Sequence, residues 1–282
     1  MSKNVLVTGG CGFIGSYVVD ALIKKKYKVT IFDLIKPKRK DVKFIKGSIL
    51  NKKLVISSLK NIDFIFHLAA VSDINKVKKI PSETIETNIM GTTNFLEASR
   101  KNKVKKFIFA SSVYSYGNSG NLYTTSKIAS ELIIKNYSLL FNLDYTIFRY
   151  TTAYGPRNRS VDATSIFVER ALKNINLLVF GDGSQKRNYL YVKDLADGSM
   201  TGLQKKTKNK IITLASKQNI KIINLARTIL KLTKSKSKII LKNNNKRVDD
   251  FTSNYSYDKN LFGWKPKYNL DLGLKEYIKT KL

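Results

Sequence analysis

Two residue types that bind metals and carry redox chemistry are almost missing from this 282-residue chain, which holds one cysteine, Cys11, and one histidine, His67. A lone cysteine closes no internal disulfide, and neither residue can assemble a Cys- or His-based ligand set, so no metal is expected. Cys11 reads as a small residue in a crowded turn, since nothing marks a resolving partner. Nowhere do the ~20 consecutive apolar residues of a membrane span occur. Met1 to Asn4 lead directly into Val5-Leu6-Val7, with no secretory leader ahead of them. A cytoplasmic protein without membrane attachment is expected. Acidic residues are also scarce, 20 against 52 Lys and Arg, which leaves a formal charge of +32. The lysines are spread along the whole chain and accompany many Asn and Ile, three types sharing A/T-rich codons. Base composition accounts for such a bias, and zinc-finger, RNA-binding and basic-heptad signatures are absent. Nucleic acid is therefore not expected as the main partner, although a positive field would speed the arrival of an anionic substrate.

What is present is a core-forming fraction of 43% hydrophobic residues, in short runs rich in Val, Ile and Phe. The runs are Val5-Leu6-Val7, Val29 to Phe32, Val42 to Ile45, Phe64 to His67, Phe107 to Ala110 and Tyr145 to Phe148. Segments of helical period, starting near Ile14, Asn51, Pro81 and Tyr123, separate them. This alternation predicts an α/β fold, a doubly wound parallel sheet of the Rossmann type. Beyond about Tyr150 the alternation fails and turn residues gather in Tyr154 to Arg159 and Gly181 to Asn188. The expected division is a dinucleotide-binding domain over 1–150 and a smaller, mainly substrate-binding lobe over 151–282, with some segments returning to the main domain. Lys234 to Lys238 and Asn243 to Lys246 read as solvated loops.

After the first strand comes Thr8-Gly9-Gly10-Cys11-Gly12-Phe13-Ile14-Gly15, and then a helix. Glycines at this spacing permit a tight turn, let the backbone approach a pyrophosphate and allow the helix to pack closely, with the helix N-terminus facing the negative charge. The second strand ends in Asp33, placed to accept from the adenosine ribose hydroxyls. A carboxylate there repels a 2′-phosphate, which favours NAD over NADP.

At the fifth strand the chain reads Ala110-Ser111-Ser112-Val113-Tyr114-Ser115-Tyr116-Gly117, and Tyr123-Thr124-Thr125-Ser126-Lys127 opens a helix soon after. Residues four apart share a helix face, so Tyr123 and Lys127 can point together into the cleft. An ammonium beside a phenol stabilises the phenolate, typically by 1 to 3 pKa units from ~10, giving a general base near neutral pH. Ser112 is expected to hold the reacting oxygen beside Tyr123, with Ser111 as its rival. The same spacing recurs at Tyr189/Lys193, Tyr255/Lys259 and Tyr277/Lys281, but none of these follows a Ser-bearing strand end.

With these residues in place the sequence resembles the NAD-dependent epimerase/dehydratase family, the extended short-chain dehydrogenases. The likeness extends to His67-Leu68-Ala69-Ala70, Asn88 to Asn94, Arg149 to Pro156, Gly181 to Asp194 and Phe262-Gly263-Trp264-Lys265-Pro266. The resemblance implies a cofactor site of Gly9, Gly12, Phe13, Ile14, Gly15 and Asp33, continued by Ser48, Ile49, Leu68, Ala69 and Ala70. Asn88, Ser111, Tyr123, Lys127 and Tyr150 complete it. Ser112, Thr152, Arg187 and Arg247 are implied to meet a nucleotide-sugar substrate, the two guanidiniums on its diphosphate. His67 is expected to be a packed strand-end residue.

Dehydratases and decarboxylases of the family resemble one another in an acidic residue just after the Ser/Thr of the strand end, where this chain has Val113 and Tyr114. No carboxylate is then at hand to protonate a leaving hydroxyl. Oxidation followed by reduction remains, which implies an NAD-dependent nucleotide-sugar epimerase of the UDP-sugar 4-epimerase kind acting through a keto intermediate. Three departures stand out. Only Asn118 to Leu122 separate Gly117 from Tyr123, a shortened lid that leaves the site open or closed by a partner; Thr152 replaces the usual Asn, as in some glucuronate-type epimerases; and Ser48 replaces a common Asp. Alternatives are a keto-sugar reductase consuming NAD(P)H and, from another class, a non-catalytic nucleotide-binding protein. The family likeness also implies a homodimer built on two helices of the main domain.

Overall fold

The structure, a computed structural model, describes residues 3–117, 121–158, 162–243 and 262–282. The chain begins β1 (Asn4–Thr8), α1 (Phe13–Lys24), β2 (Lys28–Asp33), β3 (Lys43–Lys46), α2 (Lys52–Ser58), β4 (Phe64–His67), α3 (Ile74–Lys79) and α4 (Pro81–Ile85). A π-turn, Glu86–Met90, leads into α5 (Gly91–Lys101), β5 (Lys106–Ser112), α6 (Leu122–Phe141) and β6 (Tyr145–Tyr150). There follow β7 (Thr152–Tyr154), α7 (Ala163–Leu172), β8 (Leu177–Phe180), β9 (Lys186–Tyr191) and α8 (Val192–Ser199). The remainder holds β10 (Lys210–Leu214), β11 (Asn219–Lys221), α9 (Ile222–Thr233), β12 (Ile239–Lys242) and α10 (Leu270–Lys279).

Two compact units result, one formed by Met1–Tyr150 with Ala196–Thr213 and the other by Thr151–Leu195 with Leu214–Leu282. The first holds a seven-stranded sheet in the order β10-β6-β5-β4-β1-β2-β3. Its central strands lie buried on both faces, so they read as continuous apolar runs; Val5, Leu6 and Val7 are each 0% exposed. Val5 pairs in parallel with Val29 on one side and Phe64 on the other. From β1 the chain winds outward through β2 to β3, and from β4 it winds the opposite way through β5 to β6. The switch point therefore falls between β1 and β4, and open α/β sheets bind ligands beyond the carboxyl ends of such strands. All six runs read from the sequence are strands. The seventh, β10, comes from a stretch expected to be irregular, because Lys210-Ile211-Ile212-Thr213-Leu214 lies outside the regular βα spacing.

The helix α6 has Asn121 as its N-cap, accepting from the Thr124 amide, and ends at Asn142 in the left-handed region (φ 53°). Its buried face is polar over much of its length: Thr124, Ser126, Lys127, Ser130 and Glu131 precede Ile134. Buried polar groups are normally paired, and the partners of Ser126, Lys127, Ser130 and Glu131 define the candidate site. The second unit has a three-stranded sheet, β11-β9-β7, and a parallel pair, β12-β8, over a core that includes Tyr154, Phe167, Tyr191, Leu225, Leu274 and Tyr277. Among the described residues no helix is long and apolar enough to cross a membrane.

Candidate active site

The turn after β1 is built around the absence of side chains. Gly9 has φ +69°, and a Cβ on it would lie 2.8 Å from the Ala69 nitrogen. A Cβ on Gly15 would come within 2.1 Å of the Gly9 carbonyl oxygen, so the first turn of α1 can rest on the loop only without one. No side chain caps α1, which starts over Gly12, and no acid stands in its first turn. Its leading N–H groups and positive dipole end suit a diphosphate. The Asp33 carboxylate accepts from the Cys11 amide (2.9 Å) and the Ile35 amide (3.0 Å). Carboxylate oxygens offer about four acceptor positions, which leaves capacity for a ribose diol. This cradle, closed to any Cβ and ending in a placed carboxylate, fits the dinucleotide expected from the sequence. Phe13 and Ile14 form the partly exposed start of α1, and Ser48 is exposed, its hydroxyl accepting from the Leu50 amide. The Ile49 side chain is 7% exposed and packs in the core beside Gly91, and its carbonyl accepts from the Asn94 side-chain amide at 3.0 Å.

The loop after β4 is fixed from beneath. The Thr8 hydroxyl accepts from the amides of Leu68 and Ala69, both at 3.1 Å, and meets His67 Nδ1 at 3.0 Å. His67 Nε2 lies 3.1 Å from the Thr92 hydroxyl, which itself donates to the Asn88 carbonyl at 2.6 Å. Thr92 has its one proton committed, so Nε2 must donate to it and Nδ1 must accept from Thr8. Burial, and secondarily the Lys127 charge, push this imidazole down to about 3, so it is neutral. His67 is thus the packed strand-end residue expected, and it braces Leu68-Ala69-Ala70 through Thr8. Asn88, on the π-helical segment, clamps the same loop: its side-chain oxygen Oδ1 accepts from the Val71 amide (2.8 Å), and its side-chain Nδ2 donates to the Val71 carbonyl and the Ser126 hydroxyl (both 3.0 Å). The β4 loop and α6 are thereby joined one residue before Lys127.

At the end of β5, successive residues point to opposite faces. The Ser112 hydroxyl accepts from the Tyr114 amide at 3.3 Å and lies on the side of the Tyr123 phenol, where it favours the ionised form. Ser111 instead donates to Glu131 Oε1 at 2.5 Å and contacts the Ser115 hydroxyl at 3.1 Å, so its side chain is engaged within the protein. Lys127 lies buried behind Tyr123, with Nζ 5.7 Å from the Tyr123 ring centre, 4.6 Å from that of Phe109, and donating to the Ala110 carbonyl at 2.7 Å. Tyr123 and Lys127 do share one face. The expected acidification of the phenol, however, does not hold in this structure. Burial pushes the Tyr123 hydroxyl well above the ordinary tyrosine range, reinforced by Tyr114 and opposed only by the Ser112 hydroxyl. Burial also brings the Lys127 ammonium down to about 7, with Glu131 pulling the other way. Tyr150 is 6% exposed, and its hydroxyl pairs with Ser199 at 2.8 Å in the interior.

Sequence reasoning missed Glu131 and its partner. Arg149 on β6 donates to both carboxylate oxygens, at 3.0 and 2.7 Å, while stacking at 4.3 Å over the Tyr116 ring. A signal was present, since Tyr123, Lys127 and Glu131 follow one another at intervals of four. In the second unit, Thr152 opens β7 and Arg187 lies half-buried on β9, with one N–H donated to the Lys186 carbonyl at 2.9 Å. Arg247 lies outside the described residues, as does the rival pair Tyr255/Lys259. The other rivals are ordinary surface lysines: Lys193 pairs with Glu276 and Lys281 with Glu169, each at 3.1 Å.

The model of the family described as "NAD dependent epimerase/dehydratase family" matches residues 5–215. The chain belongs to this family. It is an enzymatic family, and the likeness runs over the second unit as well as the first. The chain is 36% identical over 269 residues to a UDP-N-acetyl-alpha-D-glucosaminuronate decarboxylase of Bacillus cytotoxicus, covering 85% of this chain and 83% of that protein. Its fold matches the UDP-glucose 4-epimerase of Thermotoga maritima solved with UDP-glucose, with a TM-score of 0.91, 30% identity and 98% of each chain covered. The UDP-glucuronic acid 4-epimerase of Bacillus cereus, solved with UDP-glucuronic acid and NAD, matches with a TM-score of 0.87 and 28% identity over 99% of this chain and 100% of that one.

Proposed function

We propose that this epimerase/dehydratase family member catalyses the NAD-dependent epimerisation of a nucleotide sugar, of the UDP-sugar 4-epimerase kind, with Tyr123 as the acid–base group. The observation that carries the reading is the placing of Lys127 Nζ 5.7 Å from the Tyr123 ring, beside Ser112 at the carboxyl end of the sheet that bears the glycine cradle, with no carboxylate among Val113, Tyr114 and Ser115. Bound NAD supplies the acceptor and donor of a hydride. Gly9, Gly12 and Gly15 receive its diphosphate, Asp33 its adenosine ribose, and the Leu68–Ala70 loop braced by Thr8 and Asn88 borders it. Ser112 holds the substrate hydroxyl oxygen against Tyr123, which takes the hydroxyl proton as the sugar becomes a ketone and returns that proton when the opposite epimer forms. Lys127, as an ammonium behind the phenol, offsets the burial that opposes the tyrosinate. Arg187 and Arg247 serve the substrate diphosphate. The protein works as a homodimer through α6, whose Leu132, Leu139, Leu140 and Phe141 are 53%, 80%, 71% and 44% exposed.

The likeness to the Bacillus cytotoxicus decarboxylase favours a second reading, oxidation of a uronate at the same site followed by loss of carbon dioxide. Both are tested by incubating the purified protein with UDP-hexoses and UDP-hexuronates in D2O, without added coenzyme, and reading the products by NMR. Epimerisation gives the 4-epimer with no deuterium on carbon, because the hydride that leaves is the one that returns. Decarboxylation gives a pentose with one carbon-bound deuterium. A need for stoichiometric NADH would identify a reductase, and no turnover at all would leave a nucleotide-binding protein; either result overturns the proposal.

A further inference from the structure

Between β5 and α6 the chain makes one tight helical turn, Val113–Tyr116, on which two groups assigned to the reaction lean. The Tyr114 ring meets the Tyr123 ring edge-on, with centres 6.5 Å apart and planes at 85°. The Tyr114 amide donates to the Ser112 hydroxyl at 3.3 Å. The turn is itself tied down at three points. The Ser115 hydroxyl lies 3.1 Å from that of Ser111, the Arg149 guanidinium lies 4.3 Å from the Tyr116 ring centre, and the Tyr116 hydroxyl meets Thr213 on β10 at 2.7 Å. Two of these ties converge on one carboxylate. Glu131, 3% exposed, accepts the Ser111 hydroxyl at 2.5 Å and two Arg149 N–H groups at 3.0 and 2.7 Å. Ser111 has one proton and gives it to Glu131, so Ser115 is the donor to Ser111, and the bonds run in one direction from the turn to the carboxylate. A pair buried this deeply adds little net stability once lost solvation is subtracted. What a two-pronged guanidinium–carboxylate contact fixes is orientation.

We propose that Glu131 and Arg149 are positioning residues for the reaction: through Ser111, Ser115 and Tyr116 they set the Val113–Tyr116 turn, and the turn sets the Tyr123 ring and the Ser112 hydroxyl. The inference rests on the roles proposed above for Tyr123 and Ser112 and adds what holds them. Those two residues come from different elements, Ser112 from β5 and Tyr123 from the first turn of α6. Reacting groups must meet within a few tenths of an ångström, and a misplacement of about 1 Å costs on the order of a hundredfold in rate. The helix fixes the backbone of Tyr123 but not the rotation of its side chain, which needs a neighbour on the ring. Tyr114 is that neighbour. The ties hold two consecutive residues of the turn, Ser115 by the serine pair and Tyr116 by Arg149 and Thr213, so the turn cannot pivot about its junction with β5.

Amide hydrogen exchange of the full chain, read by mass spectrometry with neither substrate nor coenzyme present, tests the placement independently of the reaction assigned above. The reporters are the Tyr114 and Gly117 amides, bonded to the Ser112 hydroxyl and the Tyr114 carbonyl. In Arg149→Met, exchange across residues 113–117 should rise about tenfold or more while the glycine cradle, residues 9–15, stays within about twofold of the wild type. Arg149→Lys keeps the charge but not the fork and should recover little of the protection. Glu131→Gln should loosen the same segment, and Glu131→Asp, which keeps a carboxylate, should recover part of it. With the UDP-sugar that the wild type converts, R149M should lower kcat about tenfold or more and leave KM nearly unchanged. Unchanged exchange across 113–117 in folded R149M overturns the proposal. So does an equal rise in the cradle, which marks a general loss of stability, or a raised KM with kcat intact. Should R149M not fold, the double variant Ser111→Ala with Tyr116→Phe, which removes only hydroxyls and leaves the ion pair in place, is held to the same readouts.

Discussion

Replacing Lys127 by Met should make the protein more stable at neutral pH relative to its stability at pH 10. The reasoning is one of linkage. The ordinary lysine value of 10.5 applies to the unfolded chain, whereas the buried ammonium in the fold titrates at about 7. Between these limits the unfolded state binds one proton more than the native state, so the wild type gains stability as pH rises from about 7 to 10.5 and holds a constant deficit below 7. Each unit is worth about 1.36 kcal/mol, so the window from pH 7 to pH 10 carries roughly 3–5 kcal/mol. Met lacks this titration. Every other group contributes to both proteins alike, and the orphaned Ala110 carbonyl adds an offset that does not vary with pH. Urea unfolding followed by circular dichroism at pH 6, 7, 8, 9 and 10 gives the difference directly. The advantage of K127M should be largest and flat at pH 6–7 and should shrink by several kcal/mol toward pH 10. A difference that does not change with pH would refute the burial of a costly charge at this position.

Gly15→Ala places a Cβ within 2.1 Å of the Gly9 carbonyl oxygen, so the cradle must open; NAD affinity measured by calorimetry should fall about tenfold or more, with a stability loss of about 1–3 kcal/mol. Wild-type affinity in the variant would show that the turn does not hold the diphosphate. Thr8→Val conserves shape but orphans the Ala69 amide and His67 Nδ1, while the Leu68 amide keeps the Thr8 carbonyl at 3.2 Å. Two lost partners at about 1–3 kcal/mol each should appear as a clear drop in thermal midpoint, and an unchanged midpoint would dissolve the bracing argument. Leu139→Glu combined with Leu140→Glu, at the exposed end of α6, should yield monomers in sedimentation velocity; a persistent dimer would place the interface elsewhere.

The parts of the site visible in the sequence were those set by local spacing. A strand, a glycine turn and a helix need only about a dozen residues to declare themselves, and Asp33 follows at the next strand end. Tyr123 and Lys127 were visible because a helix repeats its face every four positions. Residues joined across long separations were not. Arg149 meets Glu131 from another element, and Thr8 supports a loop that starts 60 residues later. Nothing local states whether Ser111 or Ser112 faces the tyrosine; that follows from where α6 crosses the sheet. The direction of the Tyr123 shift also escaped, because a charge partner can be read from spacing whereas the depth of burial cannot. β10 was missed for a related reason: its strand is recruited into the sheet by tertiary pairing from a stretch whose neighbours are turns.

The most direct trial of the account removes one atom. Tyr123→Phe keeps the ring, its packing on Tyr114 and the whole glycine cradle, and deletes only the phenol hydroxyl. With the nucleotide sugar that the wild type converts, turnover should fall by about 10²–10⁴-fold, the ordinary worth of a positioned acid–base group, while NAD binding by calorimetry stays within about twofold. A phenylalanine variant that still converts the sugar at a rate near that of the parent would contradict the central claim.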